Sequence, residues 1–133
     1  MIGIIVAAHG EFSVGIRSAV TLIAGEQKQF ETVPLREGDS IEMCKESLQA
    51  RVREVDDGEG VIIFTDLFGA TPANVAAYSA KEDVIVIAGV NLPMILEILA
   101  VRSSMKVEAV AKMAMDAGIN SIVNVNEFLK SKP

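Results

Sequence analysis

The sequence predicts an α/β fold, doubly wound, with a mostly parallel central sheet and helices on both faces. Three observations predict it. Short, almost wholly apolar runs at 2–8 and 61–64 read as strands covered on both sides. Segments with apolar residues at helical spacing lie between them. Strand and helix alternate along the whole chain, with no linker, repeat or low-complexity stretch.

Each element has its own signal. The run 2–8 is closed by His9-Gly10. In 12–24, Val14, Ile16, Val20, Leu22 and Ile23 mark a helix, and Gly25 is a stop just past it. A second strand is expected within 27–35, around Phe30, Thr32 and Val33. Asp39, with Glu42 three residues on, resembles a capping box. Ile41, Cys44, Leu48, Val52 and Val55 then fall on one helical face.

After a polar turn at 56–60, the strand 61–64 closes on Thr65-Asp66. Residues 67–70 are a loop. Thr71-Pro72 is a helix start with threonine expected as the cap, and that helix should run to about Ser79. A fourth strand is expected at 84–88, followed by Gly89-Val90-Asn91, with Asn91 capping a helix over 92–101. A further helix over 106–117 should stop at Gly118. Residues 121–125 are the candidate for a last, C-terminal edge strand.

Composition narrows the function. The 133 residues suit a single domain, 1–133, large enough to bury a core. The formal net charge of −6 argues against nucleic acid, which needs a basic surface to displace phosphate counterions. One cysteine, Cys44, and one histidine, His9, exclude an internal disulfide and the usual zinc sites, so no metal is expected. No apolar run is long enough to span a membrane, and the first residues read as a strand rather than an export signal. A cytoplasmic protein is the expectation.

In an open parallel sheet the site lies beyond the carboxyl ends of the strands, where the strand order reverses. For the order 2-1-3-4 the first and third strands are neighbours there. Their ends carry His9 and Thr65-Asp66, and the fourth strand's end carries Gly89 and Asn91. A lone histidine can simply cap a strand. A carboxylate at the matching place on the next strand would instead orient the imidazole and fix its tautomer, leaving the other ring nitrogen as a nucleophile. The start of the helix at Thr71 offers backbone N–H groups to an anion, and Gly69 and Ala70 are small enough for close approach.

At these residues the chain resembles the EIIA component of the mannose/fructose/sorbose class of the bacterial sugar phosphotransferase system (PTS). Ile-Gly-Ile-Ile-Val-Ala-Ala-His-Gly at 2–10 is similar to that family's phosphohistidine strand. Phe-Thr-Asp-Leu-Phe-Gly-Ala-Thr-Pro-Ala-Asn at 64–74 is similar to its Asp-Leu-Phe-Gly-Gly-Ser-Pro-Phe-Asn type of loop, and Ala-Gly-Val-Asn-Leu-Pro-Met at 88–94 to a third block.

The resemblance implies a phosphoryl carrier. His9 would accept a phosphoryl group from phospho-HPr and pass it to EIIB, and the membrane permease EIIC/EIID would take part only indirectly. Asp66 would orient His9. Thr65, Ala70 and Thr71 would hold the phosphoryl oxygens, and Gly10, Phe68, Gly69 and Asn91 would shape the loops that meet partners. No cofactor is implied, because the donor is already a high-energy phosphohistidine. The family's homodimers exchange a C-terminal strand, for which 121–125 is the candidate here. No EIIB segment follows, so EIIB is expected as a separate polypeptide.

Two other functions fit parts of this pattern. One is the phosphocarrier subunit that serves dihydroxyacetone kinase. The other is a receiver-like regulatory domain phosphorylated on Asp66. Ala8-His9-Gly10, where a receiver would place an acidic pair, argues against the second. Ala70, Thr71 and Ala73 depart from the family's usual glycine, serine and larger apolar residue. Ala70 would be strained if its position required positive φ.

Overall fold

A computed structural model describes Met1 to Lys132. Four strands make one parallel sheet in the order β2-β1-β3-β4: β1 (Gly3–His9), β2 (Phe30–Leu35), β3 (Val61–Thr65) and β4 (Val84–Ala88). The two central strands are the two apolar runs. Ile4, Ile5, Val6, Val61, Ile62, Ile63 and Phe64 are wholly buried, which a strand achieves only when both faces are covered.

Side chains alternate across the sheet and divide the core in two. Ile4, Val6, Ile62 and Phe64 pack beneath α1 (Phe12–Ala24), α4 (Leu92–Leu99) and α5 (Val107–Asn120). Ile5, Ala7, Val61 and Ile63 pack beneath α2 (Ile41–Val55) and α3 (Thr71–Ala77). Burying each large aliphatic side chain contributes about 1.5–3 kcal/mol, so the two layers dominate stability.

Arg102 closes the amino edge of the sheet. It is 2 % exposed and donates to the carbonyls of Ile2, Lys28 and Gln29 and to the side chain of Gln27. Those carbonyls belong to the segments entering β1 and β2. Burial lowers the pKa of this guanidinium from its ordinary value.

Several expected boundaries shift for local reasons. The second strand begins only at Phe30, because Gln29 turns the chain with φ 51°. Ser40 caps α2 by accepting from the Met43 amide, while Asp39 bends back to accept from the Arg36 amide. Ala70, not Thr71, holds the cap position of α3, which ends at Ala77 rather than Ser79. Asn91 caps α4 as expected, but the helix closes at Leu99.

Helix α5 runs through Gly118 instead of stopping there. A Cβ at Gly118 would meet the Met94 methyl at 2.7 Å, and the Gly118 carbonyl accepts from Asn91 at 3.0 Å. This glycine permits helix contact; it does not end the helix. The expected edge strand over 121–125 is absent from the chain. Residues 122–124 are irregular and Val125–Lys130 forms α6, capped by Asn124. A strand needs a neighbour, and this segment has none within the described chain.

Candidate active site at the carboxyl edge of the sheet

His9 is the last residue of β1, with β3 on one side and β2 on the other. The alternation that buries Ile5 and Ala7 beneath α2 and α3 assigns His9 and Thr65 to that same face. Gly10 then turns the chain away at φ 54°, a conformation that suits glycine, and its amide donates to the Leu35 carbonyl at 2.8 Å. The His9 side chain is left 46 % exposed at the rim.

Asp66, one residue past β3, binds His9 twice. One of its oxygens, Oδ2, lies 2.7 Å from His9 Nδ1 and accepts the His9 backbone amide at 3.0 Å. Its other oxygen accepts the Leu67 amide at 3.0 Å. The Asp66 side chain is 12 % exposed. Partial burial pushes its carboxyl up, but the His9 amide, the His9 ring and the Leu67 amide outweigh that push. The net effect holds the group below the usual aspartate value. A carboxylate facing Nδ1 favours the proton there and leaves Nε2 with a free lone pair.

The 66–70 loop carries exposed Leu67 and Phe68, the latter 88 % exposed, and turns at Gly69 with φ 83°. Ala70 has φ −101° and ψ 173°, extended backbone that any residue adopts. An alanine is therefore unstrained at this position. Thr71 is the first residue of α3 and half-buried, with no side-chain bond at the helix start. The Thr65 hydroxyl is wholly buried and has no hydrogen-bond partner among the described residues. Gly89 turns the chain after β4, and the Gly89 and Val90 amides donate to the Thr65 carbonyl. Asn91 is spent within the fold, tying α4 to α5.

On the β2 side stands a pair not expected from the sequence. Arg36 Nε donates to Glu11 Oε1 at 2.6 Å, and Nη2 to Oε2 at 3.3 Å. The register contained the signal: Leu35 is the partner of His9, so the residue after it flanks the histidine.

Among the described residues no cluster of three or more histidine, cysteine or acidic side chains could hold a metal. Cys44 is buried, and burial pushes its thiol up. A groove of about 650 Å³ runs along α4 and α5 past Pro93, Glu97, Lys112 and Asp116, without His9. The histidine stands on an open rim, where a protein surface can reach it.

The model of the family described as "PTS system fructose IIA component" matches residues 3–115. The chain belongs to this EIIA family. It is accordingly a phosphotransferase component of the sugar PTS, a phosphoryl carrier. The fructose-specific EIIA component of Bacillus subtilis is 34 % identical over 77 % of this chain and 71 % of its own length. The mannose-specific EIIAB component of Escherichia coli strain K12 is 28 % identical over 99 % of this chain, which spans 41 % of that longer protein. The crystal structure of a PTS EIIA from Streptococcus agalactiae superposes with a TM-score of 0.87 at 31 % identity, covering 96 % of this chain and 99 % of that one. Among the described residues no helix of this EIIA chain is long and apolar enough to cross a membrane.

Proposed function

We propose that His9 is the phosphoryl way-station of this EIIA, loaded by phospho-HPr and unloaded by EIIB. The observation that carries this reading is the 2.7 Å contact between Asp66 Oδ2 and His9 Nδ1. With Nδ1 protonated, Nε2 attacks the phosphorus held by the donor histidine. The new P–N bond forms at Nε2 as the donor's P–N bond breaks, and the donor ring keeps that electron pair. Positive charge develops on the His9 ring during attack, and the Asp66 carboxylate stabilises it. The Ala70 and Thr71 amides and the Thr71 hydroxyl are the proposed holders of the phosphoryl oxygens, with the Thr65 hydroxyl beneath them. Leu67, Phe68 and Gly69 are the proposed partner-facing loop.

The chain also pairs, on this reading, with a second copy. Ile119, Ile122, Val123, Val125, Phe128 and Leu129 are each at least half exposed, an apolar set that a lone chain leaves in water. Ile122, Val123 and Val125 of this set fall within 121–125, the candidate for an exchanged strand, and the others flank it.

Incubation with phospho-HPr, followed by mass mapping, tests the central claim. Label on His9 that is lost in acid and kept in base supports it. Label on Asp66, lost in base, would replace it with the receiver-like reading. Transfer onward to EIIB rather than to a dihydroxyacetone kinase subunit separates the two carrier roles.

A further inference from the structure

The Glu11–Arg36 pair flanks the acceptor histidine on the side away from Asp66. Glu11 lies two residues past His9 and occupies the cap position of α1, yet it makes no cap bond. Its carboxylate is drawn to Arg36 instead. Arg36 follows Leu35, the strand partner of His9. Its amide donates to Asp39 at 2.8 Å, and the Asp39 amide returns a bond to the Arg36 carbonyl at 3.1 Å. Arg36 therefore joins the loop after β1 to the loop after β2.

The charge around it is lopsided. Glu37, Asp39 and Glu42 are all exposed on the same loop and the first turn of α2. Asp39 also acts on Arg36 through space. A phosphoryl group arriving at His9 is itself an anion. An unpaired carboxylate two residues from the acceptor would repel it, and water screens such a charge only partly over that range. The pair is more than half exposed on both sides, so it contributes little to stability.

We propose that Arg36 is a positioning residue for phosphoryl transfer: it holds the Glu11 carboxylate aside and neutralises it beside the path to His9. This rests on the reading of His9 as phosphoryl acceptor. Arg36 acts through Glu11, to which it donates twice.

The experiment compares transfer from phospho-HPr to wild-type, Arg36→Ala and Glu11→Gln/Arg36→Ala chains at low and high salt. Arg36→Ala should lower kcat/KM about three- to tenfold at low salt, with the gap shrinking as salt screens Glu11. The double variant should recover to within about twofold of wild type, since the exposed charge is then gone. An Arg36→Ala chain as fast as wild type overturns the proposal. So does a double variant as slow as the single one, because Arg36 would then act by a contact of its own. A wild-type chain that takes no label fails the His9 reading itself, a result distinct from either and one that removes the proposal too.

Discussion

His9 Nδ1 and its own backbone amide both meet one oxygen of Asp66, at 2.7 and 3.0 Å. The carboxylate therefore fixes the ring and the end of the strand that delivers it. His9→Gln should abolish labelling by phospho-HPr and leave the fold intact, because the His9 side chain is nearly half exposed. Asp66→Asn should retain labelling but slow it by about tenfold or more, since a neutral amide stabilises the developing imidazolium poorly. Rapid-quench labelling with circular dichroism on the same samples checks both. An unchanged rate in Asp66→Asn removes Asp66 from the chemistry.

The same contact has a pH signature. The folded Asp66 carboxyl titrates below its ordinary value, after hydrogen bonds from His9 and Leu67 outweigh the opposing burial. A depressed folded-state value adds stability that is fully present above the unfolded value. That stability is lost as pH falls through the folded value. Asp66→Asn should thus be less stable than wild type near neutral pH, by about 1 kcal/mol. The gap should close in acid, below roughly pH 4. Urea unfolding at neutral and acid pH measures it, and a gap that widens in acid contradicts the assignment.

Much of this was legible in the sequence because the signals were periodic. The buried runs of β1 and β3 carry the parallel sheet, and the strand-order rule alone puts His9 and Asp66 at one edge of it. What was not legible depended on tertiary contact. Gly118 looks like a helix stop until Met94 is seen against it. Asp39 looks like a cap until the Arg36 amide claims its carboxylate. The edge strand over 121–125 had the right composition, but strands are made by neighbours and none pairs with it among the described residues. The Glu11–Arg36 pair joins residues 25 positions apart across two loops, a match that no local pattern announces.

Thr65 separates two uses of a hydroxyl. Its Oγ1 is fully buried with no hydrogen-bond partner among the described residues. Such a group is costly, and valine has nearly the same shape. Thr65→Val should be stabilised by about 1 kcal/mol if packing is all that matters. If the hydroxyl holds a phosphoryl oxygen, the variant should load more slowly as well. Thermal unfolding and labelling rate, measured together, decide between a structural and a functional Thr65.

Arg102 lies at the opposite edge of the sheet from His9. Arg102→Met would remove the side-chain donor from the carbonyls of Ile2 and Lys28, while the Gln29 carbonyl would keep the Ile4 amide. The expected loss is about 2–4 kcal/mol in denaturant unfolding. Labelling of His9 per folded molecule should not change. A variant that loads slowly while fully folded would mean that the amino edge of the sheet reaches the chemistry, which the separation of the two sites argues against.

The exposed apolar residues near the carboxyl end make the last prediction. Ile122 is 79 % exposed and Leu129 60 %, whereas Ile95 and Ile98 of α4 are wholly buried. Solvent-facing isoleucine and leucine in one segment have no stabilising role in a lone chain. If a second copy covers them, a charge there must be buried on pairing at high cost. Ile122→Glu with Leu129→Glu should therefore shift the protein from dimer to monomer in sedimentation velocity. The monomer should keep its sheet, because neither residue belongs to the core of the chain. A wild-type chain that sediments as a monomer removes the second copy from this surface, as does a double variant that stays dimeric.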